Sequence, residues 1–225
     1  STELVVTDDS WKTTTGPLLH DAIFTGEEYD ARLELDGWNR NGYKDSSWKK
    51  ALLVRAPKGS LHAQLAPHEK IAWTLQPVSC EQKDDSTYWY AFPEMISGWA
   101  HIKVQGNAGD RIKLRFVGEE KNDFGQVDLY TLRGSGVEQW EPRFTWHTFR
   151  YIEVISRQVR MNKESLIAKV VHTDPQPAGS FSCSNELFNK INEVYLRTQK
   201  NNFHGSISSD CPHRERLAYT GDAQV

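Results

Sequence analysis

The feature that most restricts this chain is a period of two. In AHIKVQG, Ala100, Ile102 and Val104 fall on one face, and His101 and Lys103 on the other. DRIKLRF repeats the pattern, with Ile112, Leu114 and Phe116 opposed to Arg111, Lys113 and Arg115. Successive side chains of an extended strand point to opposite faces, so both stretches read as half-buried strands. GNAGD between them is a turn signal, and the pair is expected to form a hairpin. TFRYIEVIS is dense in aromatic and β-branched residues, and LIAKVVHT is a further strand candidate. Short strands separated by turns, with no helix between them, favour an antiparallel β-sandwich over a βαβ sheet.

The first seventy residues are less regular. DDSW and DSSW recur at residues 8–11 and 45–48, too little to make a repeat. GEEYDARLELDGW has mixed periodicity and reads as strand or loop, and APHEK at residues 66–70 reads as a connector. The character changes after TDPQPAGSFSCSN, where Pro175, Pro177 and Gly179 mark a linker. In NELFNKINEVYLRTQKN, Leu187, Ile191, Val194, Tyr195 and Thr198 recur at helical spacing. Ser184 is the expected N-cap, and Glu186 suits the positive end of the helix. The single apolar stripe of this helix has to pack on something. The expected organisation is an N-terminal β-rich domain over 1–70, a β-sandwich domain over 71–175, and the beginning of a helical domain over 176–225.

Composition narrows the function classes. The net charge of −3 offers no basic excess for a phosphate backbone, so nucleic acid is not an expected partner. No run approaches membrane-spanning length, and the start, STELVVTDDSW, lacks a basic stretch followed by an apolar core. A signal peptide is therefore not expected in the chain as given, which leaves cytoplasm and periplasm both open. Cys80, Cys183 and Cys211 are far apart and odd in number, which argues against a disulfide framework or a paired zinc site. Eight tryptophans suit either cores or stacking on sugar rings. For Trp38, Trp89 and Trp99, core packing is the expected role and a sugar platform the alternative.

Charge concentrates in the last residues, SDCPHRERLAYTGDAQV. Pro212 and Gly221 prevent one continuous helix, so this segment reads as an extended arm, a turn or short helix, and a second helix start capped by Thr220. An acid that donates a proton to a glycosidic oxygen needs a raised pKa. Glu215 lies between Arg214 and Arg216, which would lower it, while Asp210, Asp222 or burial beneath Tyr219 would raise it. Two other readings stay open: a solvated face with local ion pairs, and metal binding by Cys211, His213 and Asp222, whose spacing matches no standard site.

DCPHRERLAYTGD resembles the signature of bacterial α-L-rhamnosidases of glycoside hydrolase family 78: Asp-Cys-Pro, Arg, Glu, Arg, an aromatic residue and Gly-Asp. GEEYDAR, ISGWAHIKVQGNAGDRIKLRF, WEPRFTWHTFRYIEV, VVHTD and GSFSCSNELFNKI resemble further parts of the family in the same order. The resemblance implies a mainly β chain, with antiparallel β-sandwich domains followed by the first helices of an (α/α)6 barrel that is incomplete in this chain. It implies an inverting hydrolase that releases terminal α-L-rhamnose from plant glycans or glycosides, with no cofactor. Glu215 matches the general acid, Asp210, Arg214 and Asp222 the sugar contacts, and Tyr219 an aromatic wall. Two departures bear on the pocket. Many members have two adjacent acids after the first Arg where this chain has Glu215 alone, and Ala218-Tyr219 replaces a common Gly-Trp. Inversion also needs a base about 6.5–9.5 Å from the acid. In the family that glutamate lies far downstream, in a barrel needing about 250 residues, so no residue here is assigned as base and the ending is expected to be a cut. The alternatives are a non-catalytic carbohydrate-binding or scaffolding β-sandwich, and a relative with a changed sugar.

Overall fold

The structure is a computed structural model that describes residues 5–119, 121, 123–205, 207–209, 211–214 and 216. Its strands are β1 (Lys12–Thr13), β2 (Leu18–Ala22), β3 (Gly26–Asp30), β4 (Lys49–Lys50), β5 (Glu69–Leu75) and β6 (Ser79–Gln82), then β7 (Thr87–Gln105), β8 (Arg111–Val117), β9 (Asp123–Thr131), β10 (Val137–Trp140), β11 (His147–Ile155) and β12 (Leu166–Thr173). Helix α1 (Glu186–Asn202) follows, then the two-residue strands β13 (Phe203–His204) and β14 (Ile207–Ser208). A ten-stranded sheet runs β2-β3-β9-β8-β11-β7-β12-β5, with β6 and β10 attached to β7. Its ladders are antiparallel except for β3 on β9. The fold class is the one expected, mainly β with antiparallel pairing and a helix at the end.

The period-two faces are placed as the alternation requires. Ala100, Ile102, Val104, Ile112, Leu114 and Phe116 are all buried, and they join Tyr90, Phe92, Phe149 and Ile152 in one core. The hairpin, however, does not form. β8 pairs with β9 and β11, and β11 lies between it and β7. Alternation determines which side chains face inward but not which strand is the neighbour. The GNAGD turn is tied instead to the end of β9, where the Gly109 N–H donates to Leu132 O and the Leu132 N–H donates to Asp110 O, each at 2.9 Å.

Strand β7 organises the sheet. β11 runs along its first two thirds, β6 pairs with its start, and β12 and β10 pair with its second half. Within the β11 ladder, Phe149 opposes Ile96 while Tyr151 opposes Ala91, so residues 92–95 bulge from the ladder around Pro93. Gly98 follows, and a Cβ there would meet Lys169 O at 1.9 Å.

Helix α1 begins one residue later than expected. Asn185 is the N-cap rather than Ser184, and its side chain accepts the Leu187 N–H at 3.0 Å. The Cys183 N–H donates to Asn189 Oδ1 at 2.9 Å, and the Asn189 amide donates back to Cys183 O at 2.9 Å. That reciprocal pair folds Cys183 over the first turn and leaves Asn185 at the boundary. The helix meets the sheet through polar groups. Arg197 pairs with Glu94 at 3.0 Å, and the Asn201 amide donates to Met95 O at 3.2 Å. The Ser97 hydroxyl donates to Asn201 O at 2.7 Å. The bulge of β7 is thus the helix's docking point. The apolar stripe remains 41–64% exposed from Leu187 to Leu196.

The expected core packing fails for Trp38, which is 62% exposed. It sits among successive tight turns, with Trp38 N–H donating to Leu35 O and Arg40 N–H to Gly37 O, too short to fold an indole inward. Trp89 and Trp99 are half-buried.

Gly98→Ala should cost at least about 2 kcal/mol, because the added methyl collides with backbone rather than with a flexible side chain. Chemical denaturation measures this, and an unchanged midpoint would contradict so close a crossing of β7 and β12.

Candidate active site

Asp210, Glu215, Tyr219 and Asp222 lie outside the described residues. Arg214 is described: it is exposed and closes a turn in which its N–H donates to Cys211 O at 3.4 Å. Residues 211–214 and Arg216, which are described, lie on a seat built from the sheet.

Two strands build that seat. In β9, Gln126, Asp128 and Tyr130 occupy the inward positions. The Gln126 amide donates to His213 O at 2.7 Å, while its oxygen accepts the Thr148 N–H at 3.1 Å. The rings of Phe124 and His213 lie 4.2 Å apart. At the entry to β11 stands Trp146, which is buried. One contact of its ring is with His204, stacked at 3.6 Å and 8°. Another is with the Arg216 guanidinium, 4.4 Å from the ring centroid. Two groups so near one centroid cannot share a face, so the indole is sandwiched between them.

The local chain explains why Arg216 reaches there. Pro212 cannot continue a helix, and residues 212–214 turn. Arg216 then takes a left-handed φ of 51°, unusual for a residue with a side chain. Its N–H donates to Cys211 O at 3.2 Å and its Nε donates to Pro212 O at 2.9 Å. Burial pushes the guanidinium down to about 10, and the charge of Asp128 opposes that shift.

Next to this sandwich is a polar nest. Asp128 and His147 are fully buried, with Oδ1 and Nε2 2.8 Å apart. The same Oδ1 accepts the Glu27 N–H at 3.0 Å, and Glu27 Oε2 accepts the Arg143 N–H at 2.8 Å. Burial raises the Glu27 carboxyl above its usual range, against the pull of the Arg143 and Phe144 backbone bonds. Among the described residues, Asp128 Oδ2, His147 Nδ1 and both terminal nitrogens of Arg216 have no hydrogen-bond partner. Alongside, a cleft of ≈ 410 Å³ runs between the β7 bulge, α1 and the segment, lined in part by Glu94, Glu119, Arg150, Asn201 and His213.

Cys211 is buried, with its Sγ 3.3 Å from His213 Nε2. Asp222, the third ligand of the metal reading, lies outside the described residues, and among those described no group of three His, Cys, Asp or Glu could hold a metal. No described helix is long and apolar enough to cross a membrane.

Sequence reasoning missed Trp146, Gln126, Asp128, His147, His204 and the role of Arg216. A signal was available for two of them. Gln126 and Asp128 fall on the inward face of a strand, where a polar residue has to be satisfied and rarely occurs without cause.

Glu69, at the start of β5, holds the other end of the sandwich. It accepts from the Gly205 N–H at 3.0 Å and lies 3.2 Å from His204 Nδ1. The hydrogen bond with His204 is the main reason its carboxyl is held below the usual range. A depressed value means the stabilisation is complete above the ordinary carboxylate value of about 4.3 and is lost as pH falls through the folded one. Glu69→Gln should melt below the parent at neutral pH, and the gap should close on acidification. Melting curves over a pH series test this, and a gap independent of pH would contradict it.

Comparison with known proteins gives the geometry its context. Three family profiles match in succession: the α-L-rhamnosidase N-terminal domain over residues 1–72, the bacterial α-L-rhamnosidase concanavalin-like domain over 81–172, and the bacterial α-L-rhamnosidase six-hairpin glycosidase domain over 176–225. An α-L-rhamnosidase of Formosa agariphila is 33% identical over 97% of this chain and 24% of its own length. The solved α-L-rhamnosidase of Dictyoglumus thermophilum superposes with a TM-score of 0.92 at 39% identity, covering 100% of this chain and 26% of that one. The Streptomyces avermitilis α-L-rhamnosidase, solved in complex with L-rhamnose, gives 0.84 at 29% identity over 97% of this chain and 22% of its own. The chain thus spans about a quarter of the length of the relatives it matches. It belongs to the α-L-rhamnosidase family, with that family's N-terminal and concanavalin-like domains and the start of its six-hairpin glycosidase domain.

Proposed function

We propose that the protein hydrolyses terminal α-linked L-rhamnosides with inversion, and that Glu215 is the acid that protonates the departing oxygen. Asp210, Arg214 and Asp222 hold the sugar hydroxyls in this reading, and Tyr219 walls the pocket. The supporting observation is the seat itself. Gln126 binds the backbone at His213 and Trp146 binds the side chain of Arg216, so residue 215 is bracketed in sequence by two anchored neighbours. Of the two cations beside Glu215, Arg216 is engaged with an aromatic face. The profile match over 176–225 and the rhamnose complex of the Streptomyces avermitilis relative support this choice of substrate class. The reading divides the chain at about residues 70 and 175; the profile limits at 72, 81, 172 and 176 support that, although β2 and β3 are hydrogen-bonded into the common sheet.

A second reading, carbohydrate binding without catalysis, draws on a cleft of ≈ 730 Å³ lined in part by Trp38, Trp48, Phe144, Asp36 and Asn39. Its aromatic and amide lining suits sugar rings. Rhamnose oligosaccharide binding that disappears in Trp38→Ala but survives in Glu215→Gln would favour it.

In the full-length gene product, Glu215→Gln should lower kcat on an unactivated rhamnoside by about a hundredfold or more, the usual contribution of a general acid. The first-formed product, followed by NMR, should be the β-anomer. Undiminished activity would overturn the acid assignment, and a first-formed α-anomer would overturn inversion.

A further inference from the structure

We propose that Arg216 is a positioning residue for the acid at 215, clamped on Trp146, and this rests on reading Glu215 as the acid. Arg216 is a buried cation held by an aromatic face, not an exposed charge beside the site. Its guanidinium lies 4.4 Å from the Trp146 centroid, and His204 stacks on that indole at 3.6 Å. His204 is in turn held against Glu69 at 3.2 Å. A continuous stack therefore runs from β5 through His204 and Trp146 to Arg216, the residue that immediately follows Glu215.

Two features separate this contact from ordinary packing. The backbone of Arg216 is in the left-handed region at φ 51°, a conformation that persists only where its surroundings enforce it. The side chain also binds back on its own turn, Nε donating to Pro212 O at 2.9 Å. The residue therefore joins the turn preceding Glu215 to the sheet at the same time as it follows Glu215 in the chain. Together with the Gln126 bond to His213 O at 2.7 Å, it restrains the backbone on both sides of residue 215. A planar guanidinium suits this role because it can stack and donate at once, whereas an ammonium does only one of these well.

The test exploits leaving groups. A dinitrophenyl rhamnoside departs without a proton, whereas a methyl rhamnoside needs one. In the full-length protein, Arg216→Gln should lower kcat on the methyl rhamnoside by about tenfold or more, part of what a general acid supplies, and leave the dinitrophenyl rhamnoside within about threefold. KM should move little for either. Arg216→Lys should recover part of the loss, and Trp146→Leu should reproduce the leaving-group dependence. Circular dichroism confirms folding. Should Arg216→Gln not fold, Arg216→Lys and Trp146→Phe, which keep the charge and a ring, carry the same comparison. Equal losses on both substrates, or no loss on either, would overturn the clamp. Glu215→Gln run alongside separates the two ideas. If it lacks leaving-group dependence, the acid assignment fails; if it has that dependence and the Arg216 variants do not, only the clamp fails.

Discussion

Trp146 carries contacts on both faces, and the tie between the sheet and the charged segment depends on that indole. A desolvated cation on a tryptophan face gains about 2 kcal/mol. That gain has to offset the cost of taking a guanidinium out of water, and Asp128 contributes the opposing charge. The arrangement is favourable only if the indole cannot move. His204 stacked on its other side, itself bonded to Glu69, supplies that rigidity.

The sheet is built to present this contact. β7 exchanges β6 for β12 along one edge, and the bulge at residues 92–95 with Ser97 just beyond it receives the end of α1 through Glu94, Met95 and Ser97. β9 and β11 turn polar side chains inward at one end, where Gln126, Asp128 and His147 replace the apolar residues that fill the rest of the core. Elsewhere the same inward positions hold Ile112, Leu114 and Phe116. The polar end costs packing energy that an apolar end would not, and what it gains is a fixed place for residues 211–214 and Arg216.

Much of this was legible in the residues, and the limits have physical causes. Alternation located the inward faces of β7 and β8, because side-chain direction is a local property of an extended chain, while residue type alone marked β11 and β12 as strands. Alternation failed on the β7–β8 hairpin, because pairing is decided by distant strands, and β11 competes for both edges. The helix was visible in its stripe, while its N-cap was displaced from Ser184 to Asn185 by the Cys183–Asn189 pair, a side-chain contact that periodicity does not encode. Trp38 shows the opposite error: burial statistics favoured the core, but the turns around it left no room to fold inward. The tail was recognisable as a motif, yet its charges alone could not separate a sugar pocket from a solvated face. Arg216 looked like a mere neighbour of Glu215 because its partner Trp146 is seventy residues earlier.

The account stands or falls on where residue 215 sits relative to a bound sugar. A crystal structure of the full-length protein with L-rhamnose measures that directly. It should place the Glu215 carboxyl within hydrogen-bond distance, about 3 Å, of the anomeric oxygen. Asp210, Arg214 and Asp222 should lie on the ring hydroxyls, with Arg216 still stacked on Trp146. Rhamnose bound in another cleft, or a Glu215 side chain turned to solvent away from the sugar, would contradict it.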